Sequence, residues 1–308
     1  MVEIVPAFSY PSCVKLRNDD VELLITTDVG PRVLGYRLLP DGGSPFKTYE
    51  EELGRDNEFE WQIRGGHRLW IAPEERSLTY IPDNRVIRWE SQHPLHASFR
   101  NEPVAPWNLA KILSLTLDPT GSRVTVSHQI VNDGDLSITL APWALSVMAP
   151  GGCLLLPQPP LGEHPRDLLP NRSLIIWPYS DLSDPRLSMG TRFIRLQQQA
   201  TESATVLKFG TGSEMGCALY VLGDQVFFKT FPWKSGANYP DQGCNFETFT
   251  DNGMLEVESL GPIVHLAPGE KVEHTEEWLL RKLDIVPDLA DESAWLAITE
   301  SLKEEVSK

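Results

Sequence analysis

The sequence predicts an all-β sandwich of antiparallel sheets closed by one helix at the C-terminus. Three observations predict it. Apolar and polar residues alternate with period two through most of the chain, turn-forming residues recur between the alternating runs, and a helical period appears once, at the end. The 22 glycines and 25 prolines are 47 of 308 residues, above the ~12% of an average protein, as expected for many short elements joined by turns.

The clearest element is a hairpin over roughly 111–131. Leu113, Leu115 and Leu117 share one face, as do Val124, Val126, His128 and Ile130, and Asp118-Pro119-Thr120-Gly121 supplies the turn between them. Further strands are expected at 21–27, 32–39, 136–148, 173–178, 191–197, 204–209, 216–222, 225–231, 245–250, 254–259 and 271–280. The segment 150–172, with six prolines, reads as a long irregular loop. From Asp291 onward, Trp295, Leu296, Ile298 and Leu302 gather on one side of a helix over 291–306. The sandwich is thus expected over 1–290, with 291–308 packed on it as a C-terminal helix.

Composition narrows the partners. Acidic residues number 43 against 27 basic, a net charge of −16, and no block of five basic residues occurs. Nucleic acid and anionic membrane surfaces are disfavoured. No run approaches the ~18 apolar residues of a membrane span. The start, Met1 to Pro6, has neither the basic nor the apolar part of a signal peptide. Cys13, Cys153, Cys217 and Cys244 are scattered without a C-x-x-C pair, which suits free thiols in a reducing cytoplasm. Hydride transfer, nucleotide hydrolysis and serine-hydrolase chemistry have no motif here.

Two constellations carry polar chemistry. In Arg64-Gly65-Gly66-His67-Arg68-Leu69-Trp70-Ile71-Ala72-Pro73-Glu74, two glycines permit close backbone approach. An imidazole able to act as an acid, a planar guanidinium and an indole that can stack on a sugar's C–H face follow at once. The alternative is a glycine bulge with a surface histidine and a core tryptophan. In Met254-Leu255-Glu256-Val257-Glu258, the two glutamates share a strand face about 7 Å apart. Such a pair can hold sugar hydroxyls, and the like charges should raise one pKa, which suits a general base. The alternative is a solvated strand face. Trp233 and Asp241 lie in an aromatic loop that walls a polar cleft or forms a packed turn. His128 reads as a core histidine, His274 and Glu276 as structural or edge-facing, and His93 and His96 as two possible metal ligands without a carboxylate to complete them.

The order of these pieces resembles the galactose mutarotase-like (aldose 1-epimerase) superfamily. Gly30-Pro31-Arg32-Val33-Leu34-Gly35 is similar to its opening strand, and Gly65-Gly66-His67 to its early sugar-site segment. Ile130-Val131-Asn132-Asp133-Gly134 resembles its Asn turn, Leu255-Glu256 the late strand with the catalytic glutamate, and Leu266-Ala267-Pro268-Gly269-Glu270 the turn before the last strand. The resemblance spans roughly 20–282 and looks closest to a bacterial branch. It implies a β-supersandwich and a small-molecule carbohydrate as partner, with no metal and no cofactor. It further implies Glu256 as base and His67 as acid, with Arg68, Trp70, Glu74, Glu258, Trp233 and Asp241 around the sugar. In that chemistry the base takes the C1 hydroxyl proton, the acid protonates the ring oxygen, the ring opens, the C1–C2 bond rotates, and closure from the other face gives the other anomer. One segment departs: Leu140-Ala141-Pro142-Trp143-Ala144-Leu145 stands where the family has a His-Pro-aromatic run with its usual acid. Binding without turnover, or a lyase or hydrolase acting on a uronate, are the alternatives.

Overall fold

The computed structural model describes residues 1–201 and 205–308. Two antiparallel sheets face each other. The eleven-stranded first sheet runs Val2–Ala7, Tyr10–Arg17, Val21–Thr26, Arg32–Leu38, His67–Ala72, Ile138–Met148, Leu255–Leu260, Phe246–Thr250, Leu207–Thr211 and Ile175–Ile176, with Val264–Leu266 paired to Ile138–Met148. The ten-stranded second sheet runs Leu187–Met189, Phe193–Gln197, Cys153–Pro157, Cys217–Leu222, Gln225–Thr230, Lys271–Lys282, Val124–Asn132, Leu109–Leu117, His96–Arg100 and Arg88–His93.

Alternation sets the layers. Leu113, Leu115, Val124 and Val126 of the hairpin pack against Val14, Leu16, Leu23 and Val33 of the first sheet, in the main core between the sheets. The hairpin forms as expected, in the register Leu113 opposite His128. Residue 204, the first of the expected 204–209 strand, lies outside the described residues, and the strand itself is Leu207–Thr211.

The segment 150–172 is not wholly a loop. Cys153–Pro157 is a buried strand. Leu154 and Leu156 face the inter-sheet core, while Cys153 and Leu155 face the C-terminal helix. A strand covered on both faces is apolar throughout and shows no alternation. His93 and His96 stand opposite each other on two paired strands. The four cysteines are buried and free.

The helix Glu292–Val306 covers the outer face of the second sheet. Asp291 caps it, its side chain accepting from Ala294 N at 3.1 Å. Trp295, Thr299 and Leu302 form its buried stripe, and the two apolar ones join Phe193, Leu219, Phe228 and Leu279. Burying each large apolar side chain contributes about 1.5–3 kcal/mol.

The glycine pair before His67 is required by the backbone, not by a ligand. Gly65 and Gly66 have φ of +82° and +69°, and a Cβ on them would lie 2.0 Å from Lys47 O and 2.3 Å from Val33 O. This tight passage delivers the chain into the strand His67–Ala72 at the centre of the first sheet.

Candidate functional site

The outer face of the first sheet carries the site. Along His67–Ala72, His67 points into the interior, while Arg68, Trp70 and Ala72 point outward. Along Leu255–Leu260, Leu255 and Val257 enter the core, and Glu256 and Glu258 point outward. The intervening strand Ile138–Met148 contributes Trp143 and Leu145 to the same outer face. Leu145 stands opposite Arg68 on one side and Glu258 on the other, and Val147 stands opposite Glu256.

These side chains floor a cavity of about 290 Å³ lined by Trp61, Arg68, Tyr80, Trp143, Lys208 and Glu256, among others. Glu256 is 7% exposed, and its Oε1 receives Arg68 Nη2 at 2.9 Å. The Arg68 guanidinium lies 4.3 Å from the Trp70 ring and 5.2 Å from that of Trp61, so cation–π contacts hold it flat. Trp70 also packs on Tyr80 at 5.0 Å and on Trp143 at 5.4 Å. With its ring mostly covered, Trp70 forms wall and support, and Trp61 and Tyr80 lie farther out.

Lys208 sits at the other side. Its Nζ lies 2.9 Å from Glu247 Oε2 and 3.9 Å from Glu74 Oε2, and 4.6 Å and 4.4 Å from the rings of Trp143 and Trp177. The contact with Glu247 is an ion pair without hydrogen-bond alignment. Burial works against its charge, yet Glu258 and Glu247 outweigh burial and raise its pKa. Glu258 and Glu247 are themselves cross-strand partners. Burial, moderated by Lys208, pushes the Glu258 carboxyl up to about 7, and burial raises Glu247 well above the carboxylate range. Two buried carboxyls beside one ammonium thus both resist ionisation. Glu258 Oε2 accepts from Trp143 Nε1 at 2.8 Å.

The expected site residues separate accordingly. Arg68, Trp70, Glu74 and Glu256 line the cavity. Glu258 is fully buried beneath it, tied to Trp143. Asp241 lines an adjoining outer cavity. Trp233 stacks on Tyr239 at 5.0 Å and lines neither. His67 requires correction: it is fully buried on the opposite side of its strand from Arg68, so it cannot donate a proton to a ligand in the cavity. Burial, reinforced by His128 and Lys229, holds its imidazole well below the ordinary range and hence neutral.

His67 belongs to a polar network between the sheets. His128 Nδ1 donates to His274 O at 2.9 Å, which leaves its Nε2 to accept from His67 Nε2 at 2.7 Å; Ser146 Oγ lies 2.9 Å from His67 Nδ1. Glu276 meets Lys229 Nζ at 2.6 Å and accepts from Trp278 Nε1 at 2.7 Å. His274 and Glu276 are thus interior, not edge-facing. Among the described residues, His67, His128 and Glu276 alone bring three possible metal ligands together, within 4.8 Å. The two histidines are already bonded to each other and Glu276 to Ser259 and Trp278, and the Lys229 ammonium at Glu276 opposes a cation. Lys229 Nζ also donates to Val257 O at 3.0 Å, between Glu256 and Glu258.

Lys208, Glu247, Trp61, Tyr80 and Trp143 did not stand out in the sequence. The signal for Lys208 was present: its neighbours Leu207 and Phe209 are core residues, so period two turns the lysine to the site face. Its carboxylate partner lies on another strand and left no local mark.

No protein-family model and no curated protein matches the sequence. Solved structures do. A galactose mutarotase-like protein from Lactobacillus casei superposes with a TM-score of 0.58 at 12% identity, over 87% of this chain and 100% of its own. A galactose mutarotase related enzyme from Lactobacillus acidophilus gives 0.52 at 9%, over 90% and 100%. An Escherichia coli protein designated a candidate aldose 1-epimerase gives 0.51 at 12%, over 92% and 100%. With two antiparallel sheets, a cavity on the outer face of the first and these structural relatives, the chain has the galactose mutarotase-like β-supersandwich fold.

Proposed function

We propose that the cavity binds a sugar and interconverts its anomers, with Glu256 as the base. The observation that carries this reading is the geometry of Glu256. Arg68 fixes Oε1 and aims the carboxylate at the cavity, which leaves Oε2 for a ligand hydroxyl. Lys208 stands two strands away in the same row, through Phe249, about 10 Å backbone to backbone. In this proposal the pyranose ring lies between them. Glu256 takes the O1 proton, the C1–O5 bond breaks as the C1 carbonyl forms, and O5 takes a proton from the Lys208 ammonium. Rotation about C1–C2 and the reverse steps give the other anomer. Trp61 and Tyr80 supply aromatic faces for the ring's C–H side.

Binding without turnover is the second reading, and one observation favours it: no histidine lines the cavity among the described residues. Polarimetry on freshly dissolved α-hexoses, run beside a thermal-shift screen of the same sugars, separates the two. Turnover predicts anomer interconversion above the spontaneous rate. Binding alone predicts stabilisation, about 2.7 kcal/mol at one hundred times Kd, with no rate change.

A further inference from the structure

We infer that the ligand is a neutral oligosaccharide, whose reducing-end unit occupies the inner cavity and whose next unit lies in the outer one. This rests on the carbohydrate reading of the inner cavity and names the substrate class. The outer cavity, of about 800 Å³, shares Trp61, Glu74 and Tyr80 with the inner one. A ligand leaving the inner cavity therefore passes directly over this wall. The inner volume, about 290 Å³, stands at the bottom of the ~300–1,000 Å³ range of small-molecule sites, and the outer one lies near its top.

The chemistry of the outer cavity is that of a glycan site. Phe59 is 94% exposed at its wall, far from the usual placement of a large apolar side chain, and Trp177 forms another aromatic part. Trp177 also packs on Lys208 of the inner cavity at 4.4 Å, so one ring belongs to both compartments. Aromatic faces stand together with hydroxyl-binding groups: Glu60, Glu74 and Asp241 accept, and Arg76 donates. Three carboxylates against one guanidinium repel an anionic chain, which selects a neutral glycan over a polyuronate. Glu256 needs a free anomeric hydroxyl, so the reducing end must be the inner unit and the chain must extend outward through another hydroxyl.

Isothermal titration of the full chain tests this with glucose, maltose and cellobiose, galactose and lactose, and galacturonate and digalacturonate. At least one neutral disaccharide should bind about tenfold more tightly than its monosaccharide, as one further aromatic contact allows. Digalacturonate should gain nothing over galacturonate. Phe59→Ala, at an exposed position that does not threaten folding, and Trp177→Ala should each reduce the disaccharide advantage. Equal affinity for monosaccharides and all the disaccharides, or an advantage unchanged in both variants, overturns the inference while leaving the inner sugar site standing. Absence of binding by every sugar overturns the carbohydrate reading and this inference with it.

Discussion

Arg68 Nη2 donates to Glu256 Oε1 at 2.9 Å across the whole width of the strand Ile138–Met148, joining residues 188 positions apart. The pair is almost wholly buried, with side-chain exposures of 2% and 9%. Two further guanidinium nitrogens, Nε and Nη1, are buried without a partner among the described residues. Arg68 thus both holds the carboxylate and carries donors beyond it.

Removing one member of such a pair leaves an uncompensated buried charge. Arg68→Ala should destabilise the fold by about 3–5 kcal/mol, read as a lower urea midpoint at unchanged slope. Arg68→Lys keeps the charge but loses the planar fork stacked on Trp61 and Trp70, and should recover only part of the loss. A midpoint for Arg68→Ala equal to that of the wild type would show that the pair contributes nothing.

Glu258 gives a pH signature of defined sign. Its carboxyl is raised by burial from 4.5 to about 7. Between those values the folded state binds more protons than the unfolded one, so this group lowers stability as pH rises from about 4.5 to 7. His274, lowered by burial to about 3, acts in the opposite sense: its contribution is lost as pH falls from 6.5 toward 3. The two overlap, so the test is a difference. Glu258→Gln, measured against wild type at pH 5 and pH 8, should gain relative stability at the higher pH. An offset independent of pH would refute a protonated Glu258.

His67 separates interior from site. His67→Asn breaks the contacts with His128 and Ser146 and leaves buried groups unpaired, at about 1–3 kcal/mol. Thermal denaturation should therefore show a lower Tm, while sugar affinity at a temperature where the variant is folded stays close to that of wild type. A large loss of affinity in a well-folded variant would place His67 in the binding machinery after all.

What the sequence reveals here follows from how local the signal is. The hairpin of Leu109–Leu117 and Val124–Asn132 was readable because one face is buried and the other half-exposed, so polarity alternates. Cys153–Pro157 was hidden because the inter-sheet core covers one side and the helix the other. Arg68 and Glu256 could each be singled out as polar groups flanked by strand residues. The side of the strand on which His67 falls could not, because Gly65 and Gly66 turn the backbone through positive φ before alternation begins. Lys208 and Glu247 became part of the site only through strand order, since their strands pair directly although 38 residues lie between them in sequence.

The role of Glu256 as base is read from the rate of anomer interconversion in Glu256→Gln. Glutamine keeps the shape and a hydrogen-bond acceptor for Arg68 but cannot take a proton. Polarimetry should show wild type accelerating mutarotation of at least one reducing sugar and the variant slower by about 10²–10⁴, with sugar affinity by titration little changed. Wild-type rates equal to the spontaneous rate for every sugar tried, or a variant as fast as wild type, would contradict it.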